Sequence, residues 1–146
     1  MQNMKYVYPE NAKVRCLEIN YRDLITLRDQ EYANDNIVGY RSMCIRDWQQ
    51  KAHERGEGVK IHFLTSFFFT KLTEDILDKD LESVTKNSVV KDLTLEEKTE
   101  AARYNRVKNW TRDVDIFEYD YIIVPIHMAS HWSVAIICQP GARPPN

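Results

Sequence analysis

Two short apolar runs on either side of a turn are the feature that most restricts how this chain can fold. Residues 121–126 and 132–138 are rich in Ile and Val, and each run is too short to form a helix. Only the connection Met128-Ala129-Ser130 and its flanking histidines separate them. Such runs around a tight connection predict paired, antiparallel and largely buried strands.

A histidine opens the second of these strands. His131 is followed at once by Trp132, and a neutral imidazole at a strand end can act as a general base near neutral pH. The alternative is a strand-end histidine that only bonds to backbone, and the residue alone does not separate the two interpretations. A zinc site at His127 and His131 is not favoured, because no Cys-x-x-Cys pair accompanies them.

The longest predicted helix begins at Asn34 or Asp35 and ends near Gly56 and Gly58. Apolar residues recur along it at steps of three and four positions, which predicts one apolar face made of Ile37, Tyr40, Cys44, Ile45 and Trp48.

Three further elements are predicted from local patterns. Residues 61–64 favour a strand, and residues 66–72 favour a buried helix whose Phe67, Phe68 and Phe69 belong to the core. Thr94 and Glu97 form a capping-box pattern, which predicts the start of another helix.

At 146 residues the chain is long enough for one domain. We expect a mobile lead-in at residues 1–13, a folded part at 14–140 and a loose end at 141–146. Residues 78–92 carry scattered charges without a clear period, so we expect an exposed insertion there.

Composition excludes several classes of function. A formal net charge of −2 gives no electrostatic reason to expect a nucleic-acid partner. No apolar run is long enough to predict a membrane span, and residues 1–5 do not open a signal peptide. The three cysteines have unrelated spacings, which indicates reduced thiols and a cytoplasmic or nuclear location. No metal or cofactor is predicted.

Four blocks in order resemble the Ulp/SENP cysteine peptidases, which remove the ubiquitin-like modifier SUMO from proteins. The blocks are residues 23–38, 61–72, 104–117 and 120–140. The last block, which ends in Cys-x-Pro-Gly, is most similar to the branch that trims SUMO chains. The resemblance implies an α+β fold of the papain-like type, with helices packed on a small antiparallel sheet, represented by its N-terminal half.

The same resemblance implies roles for individual residues. His131 would be the general base toward a cysteine thiol, and Trp132 would cover the narrow slot that admits the modifier's Gly-Gly tail. Tyr32 would be the opposite wall of that slot, and Asp35 would face a basic surface of the ubiquitin-like partner. Each has an ordinary alternative: core packing for Trp132, a loop anchor for Tyr32 and a helix cap for Asp35.

The family's orienting aspartate and nucleophilic cysteine follow the hairpin, and neither can be placed in residues 139–146. Cys16, Cys44 and Cys138 are interpreted as small buried hydrophobes. We therefore expect a deSUMOylating peptidase by family that is inactive as this isolated chain. The alternatives are a non-catalytic module that binds a ubiquitin-like protein and a truncated inactive fragment, and we expect self-association through the exposed sheet edge.

Overall fold

Short strands and helices alternate along the computed structural model, which describes residues 5–10, 16–86 and 93–142. In chain order the elements are β1 (Lys5–Tyr8), β2 (Leu17–Asn20), α1 (Tyr21–Ile25), α2 (Asp35–Glu54), β3 (Ile61–Phe63), α3 (Ser66–Thr73), α4 (Asp78–Thr85), α5 (Leu95–Val107), β4 (Tyr121–Met128) and β5 (His131–Cys138).

The sheet that carries the predicted hairpin has three strands in the order β3-β4-β5. β4 and β5 are antiparallel, with Met128 opposite His131 at the turn and Tyr121 opposite Cys138 at the far end. This pairing confirms the predicted hairpin. β3 runs parallel to β4, so the sheet is mixed rather than antiparallel throughout. The parallel pairing is possible because α3, α4 and α5 lie in the connection between β3 and β4 and can carry the chain back to the starting end of the sheet.

The turn between β4 and β5 has an unusual backbone. Ala129 and Ser130 both lie in the left-handed region, with φ of 51° and 59°. Two such residues form the tight turn whose twist matches antiparallel strands, but that turn normally selects Asn and Gly. The turn therefore holds two side chains in a conformation that L-residues avoid.

The core lies on the helix-covered face of this sheet. Leu64, Ile122 and Val124 are its most buried members. Partly buried hydrophobic side chains pack around them: Phe68, Phe69, Trp110, Ile116, Ile126 and Ala135.

Two predictions about burial are wrong. Phe67 was expected in the core, yet 58% of it is exposed, because it lines a surface cavity while Phe68 and Phe69 pack on the core. β5 was expected to be largely buried, yet Val134 is 57% and Ile136 is 56% exposed. The reason is that β5 is an edge strand, with β4 on one side and no described strand on the other.

Helix α2 begins where the sequence predicts. Asn34 is its N-cap, since its side chain accepts a hydrogen bond from the Ile37 amide. The helix ends at Glu54, and Gly56 follows with a φ of 74°, which glycine adopts without steric cost. The predicted apolar face is wrong in part: Trp48 is 70% exposed, and the buried residues of α2 are Gln49 and Ala52.

Residues 78–85, within the predicted exposed insertion, are mostly exposed but helical. They form α4, whose Val84 is buried and which packs on α5. A hydrogen-bonded ion pair of 2.6 Å joins Asp80 on α4 to Arg106 on α5. Residues 87–92 lie outside the described part. The capping box at Thr94 and Glu97 is confirmed at the start of α5.

Both ends contain more structure than the sequence predicts. β1 lies within the predicted lead-in and pairs antiparallel with β2. Gly141 packs directly against the carbonyl group of Phe117, where a β-carbon would clash. The rest of both predicted loose segments, residues 1–4, 11–13 and 143–146, lies outside the described residues.

Candidate functional site

His131 lies at the turn end of β5 and is exposed. Its Nδ1 is 3.4 Å from the hydroxyl oxygen of Ser133, which shares the same face of the strand. This is the accessible strand-end position that the sequence predicts. An exposed imidazole held by a strand can exchange a proton with a group that approaches from solvent.

Trp132 connects the hairpin to the segment before α2. Its indole Nε1 donates a 2.6 Å hydrogen bond to the carbonyl oxygen of Ala33. Its ring stacks on His127, with 4.6 Å between ring centroids and 26° between the planes. His127 thus packs against the indole ring. The indole therefore joins β5, which begins at His131, to the segment that contains Tyr32.

Tyr32 and Asp35 flank the backbone that Trp132 contacts. Tyr32 is 68% exposed, so its ring is available to a partner. Asp35 is the first residue of α2 and half-buried, while the neighbouring Asn34 provides the cap. One carboxylate oxygen of Asp35 accepts a 2.6 Å hydrogen bond from the Ser66 hydroxyl. Asp35 therefore fixes the start of α3 to the start of α2, a role that the sequence does not reveal.

A small cavity of about 200 Å³ adjoins Asp35 and Ser66. The exposed Phe67 and the half-exposed Arg46 also line it, together with Pro125 of β4. The sequence analysis placed Phe67 in the core, and therefore did not identify it as a surface residue beside the candidate site.

A buried carboxylate holds the Tyr32 to Asp35 segment in place. Asp23 is only 4% exposed. One of its oxygens accepts a hydrogen bond from the Asn20 amide at 2.7 Å. The other accepts from the side-chain amides of Asn34 at 2.8 Å and Asn36 at 3.0 Å. Asp23 therefore ties α1 to the residue that caps α2.

The hydrogen bonds to Asp23 also set its charge state. Burial raises the pKa of its carboxyl, but the bonds from Asn20, Asn34 and Asn36 outweigh burial and hold the pKa below its usual range. Asp23 is thus ionised at neutral pH and supplies a fixed negative charge under the start of α2, where it also complements the helix dipole. No sequence pattern pointed to this residue.

The cysteines of the chain are not gathered at this site. Cys138 lies at the opposite end of β5 from His131, about 23 Å away at the usual rise of a strand. It is exposed, so its interpretation as a buried hydrophobe is wrong; Cys16 and Cys44 are half-buried. Cys44 lies within α2, nine residues after Asp35, which is about 14 Å along the helix axis.

No helix within residues 5–10, 16–86 and 93–142 has the length and apolar character needed to cross a membrane. The same residues contain no group of three or more His, Cys, Asp or Glu side chains placed to hold a metal ion.

The sequence is similar to proteases named for ubiquitin-like proteins. It is 31% identical to sentrin-specific protease 6 of Mus musculus over 140 residues, which is 96% of this chain and 11% of that protein. It is 34% identical to probable ubiquitin-like-specific protease 2A of Arabidopsis thaliana, again over 96% of this chain and 16% of that protein. The chain thus spans less than a fifth of the length of these relatives.

A solved structure described as the crystal structure of the de-sumoylating protease has the same fold. It superimposes with a TM-score of 0.57 at 21% identity, covering 93% of this chain and 42% of the solved one. This likeness confirms the predicted α+β fold of the papain-like type. The sequence model of the Ulp1 protease family, C-terminal catalytic domain, matches residues 37–143, a range that includes α2 and both hairpin strands. The chain belongs to the Ulp1 protease family.

Proposed function

We propose that this chain supplies the histidine-bearing part of a cysteine peptidase that releases SUMO, or another ubiquitin-like protein, from lysine side chains. Family membership supports the reaction class, and the names of the relatives support the modifier. The observation that carries the proposal is the hydrogen bond from Trp132 to Ala33. It brings the segment containing Tyr32 and Asp35 to the residue that follows His131.

His131 is proposed to take the proton of a cysteine thiol. The thiolate would attack the carbonyl carbon of the modifier's last glycine, and the imidazolium would return the proton to the departing lysine amine. Water would then hydrolyse the thioester, with the imidazole again accepting a proton. We assign none of Cys16, Cys44 and Cys138 as the nucleophile, because Cys138 lies at the far end of β5 from His131 and Cys16 and Cys44 are half-buried.

Tyr32 and Trp132 are proposed to form the walls of a slot for an extended Gly-Gly tail. Glycine backbone can lie flat between two aromatic rings, whereas a larger side chain would clash with them. Asp35 has one carboxylate oxygen bonded to Ser66, and its charge is proposed to attract a basic surface of the modifier.

A binding module without catalysis is the second candidate. It is favoured by the same contact, because the slot forms from residues 32–35 and 132 without any thiol. Both candidates predict that the chain binds a ubiquitin-like protein through this slot, and they differ in whether His131 activates a cysteine thiol other than Cys16, Cys44 and Cys138.

Binding and turnover can be measured on the same preparation. We expect calorimetry to detect binding of SUMO by the wild-type chain, and Trp132→Ala and Tyr32→Ala each to weaken it about tenfold, as loss of a central aromatic contact does. Trp48→Ala is the matched control. Trp48 is as exposed as Tyr32, but it lies within α2 and not in the segment that Trp132 contacts. Equal affinity of all four proteins would exclude the slot.

Turnover is tested with a fluorogenic SUMO carboxyl-terminal amide. We expect no hydrolysis by the isolated chain. Hydrolysis that disappears on mutation of one of the three cysteines would identify that cysteine as the nucleophile and contradict our assignment.

A further inference from the structure

A second small cavity lies between the C-terminal half of α2 and β3, at the opposite edge of the sheet from β5. Its volume is about 170 Å³. Among the described residues that line it none is a carboxylate, and four are bases: Arg46, His53, Lys60 and His62. A concave site lined by bases without a lining acid has an excess of positive potential.

The two permanent cations of the cavity have carboxylate partners outside it. Arg46 lies 3.3 Å from Asp47, which also accepts a 2.7 Å hydrogen bond from the Tyr8 hydroxyl. Lys60 lies 3.1 Å from Glu118. Both pairs are exposed, and exposed pairs contribute little to stability. Because these exposed pairs are weak, Arg46 and Lys60 can each exchange the carboxylate partner for an anion in the cavity.

His62 is a half-buried base that lines the cavity. Its ring is half-buried and meets the Tyr119 ring edge-on at 5.2 Å between centroids. The ammonium of Lys60 lies 5.2 Å from the centre of the same tyrosine ring, and the Lys60 amide donates to Asp120 at 2.7 Å. Burial first, and then the charge of Arg46, hold the pKa of His62 below its usual range.

The C-terminal end of α2 adds little negative potential at this cavity, because its carbonyl groups are hydrogen-bonded. The carbonyl groups of a helix end carry partial negative charge, but those of Ala52 and His53 accept hydrogen bonds from the amides of Arg55, Gly56 and Glu57.

We propose that this cavity binds a phosphate-type dianion through Arg46, Lys60, His53 and His62. A volume of about 170 Å³ equals roughly five to six times the volume of one liquid water. That is enough for one tetrahedral oxyanion with some water, and too little for a nucleotide. The charged groups are those that phosphate prefers, because a guanidinium and an ammonium donate strong, short hydrogen bonds to its oxygens.

This cavity is distinct from the cavity beside Asp35, although Arg46 lines both. Arg46 follows Asp35 by eleven residues on α2, which is about 16 Å along the helix axis. The inference does not depend on the proposed function.

The test is an NMR titration of the His62 imidazole in the full 146-residue chain. One arm adds sodium phosphate, a second adds O-phosphoserine, and a third adds sodium chloride at matched ionic strength. We expect saturable shifts with phosphate or phosphoserine and a raised pKa of His62 in the bound state, because a bound anion favours the charged imidazolium. Tighter binding of phosphate would indicate free phosphate as the ligand, and tighter binding of O-phosphoserine would indicate a phosphorylated side chain.

Variants identify the cavity as the site. We expect Arg46→Gln and Lys60→Gln each to weaken phosphate binding about tenfold, as loss of a charge-assisted hydrogen bond does. Arg55→Gln is the control, because Arg55 is an exposed cation paired with Glu57 and does not line the cavity. Chloride shifts equal to those of phosphate, no saturation with either phosphate compound at millimolar concentration, or unchanged affinity in both cavity variants would overturn the proposal.

Discussion

Trp132 and Ala33 are separated by 99 positions in sequence, yet the indole nitrogen of Trp132 donates a 2.6 Å hydrogen bond to the Ala33 carbonyl oxygen. The bond joins an edge hairpin to the segment that leads into α2. Through this bond Trp132, which follows His131 in the chain, contacts the segment that contains Tyr32 and Asp35. The proposed slot therefore depends on a single indole.

The first prediction removes only the donor of that bond. Trp132→Phe keeps an aromatic ring on His127 but leaves the Ala33 carbonyl without its partner. We expect the free energy of unfolding to fall by about 0.5–1.5 kcal/mol, the usual net contribution of a hydrogen bond. Urea unfolding measures this, with Trp48→Phe as a control at an exposed indole. An equal loss in both variants would show that the bond to Ala33 has no special role.

The second prediction concerns acid and Asp23. Because the folded-state pKa of Asp23 lies below its usual value, its contribution to stability is complete above roughly pH 4 and is lost as the pH falls through the folded-state pKa. We expect Asp23→Asn to lower the free energy of unfolding by about 1–3 kcal/mol at neutral pH, because the new NH2 group replaces one of the two accepting oxygens and faces either the Asn20 amide or the side-chain amides of Asn34 and Asn36. The deficit should shrink as the pH falls from about 4 toward the folded-state pKa, because Asp23 of the unfolded chain takes up its proton first.

Urea unfolding between neutral and acidic pH checks this dependence. Asp113→Asn is the control, because Asp113 is an exposed acid paired only with Arg112. A stability difference between wild type and Asp23→Asn that stays constant down to acidic pH would contradict the assigned charge state.

The third prediction uses the strained turn. Replacing Ala129 by Asn and Ser130 by Gly supplies the residues that tolerate positive φ at these positions. We expect the double variant to gain about 1 kcal/mol of unfolding free energy, since L-residues cost roughly 1–2 kcal/mol each in this region. Ser83→Gly within α4 is the matched control and should be destabilised, because glycine weakens helix interiors. Loss of stability in the turn variant would contradict the backbone geometry.

The fourth prediction concerns the edge strand. β5 exposes Val134, Ile136 and Ile137 beside a backbone ladder that no described strand pairs. Such an edge favours association between copies. We expect the wild-type chain to self-associate in sedimentation experiments and Ile136→Lys to shift it toward monomer. Leu27→Lys, at an equally exposed apolar residue away from the sheet, should leave association unchanged. A wild-type chain that stays monomeric at high concentration would refute the prediction.

The sequence correctly predicted the elements that depend on residues close together in the chain. The hairpin follows from two β-branched runs, and the starts of α2 and α5 follow from the caps Asn34 and Thr94. His131 was placed correctly at the strand end because a strand fixes the position of its first residue.

The parts that were missed depend on distant partners. Asp23 looks like an ordinary loop acid in sequence, and only the folded chain brings Asn34 and Asn36 to it. Helix α4 was missed because its charges show no helical period, and its ion pair with Arg106 on α5 is visible only in the folded chain. The parallel pairing of β3 with β4 is likewise invisible to periodicity, since it depends on how the chain returns through three helices.

The most direct test of the proposed slot is an NMR titration of the chain with SUMO and with SUMO lacking its last two glycines. The account predicts that intact SUMO shifts the signals of Trp132, Tyr32 and His131, that removing the two glycines abolishes those shifts, and that Trp48 is unaffected by either. Equal shifts with both forms, or shifts only at residues far from Trp132, would contradict a slot for the Gly-Gly tail beside His131.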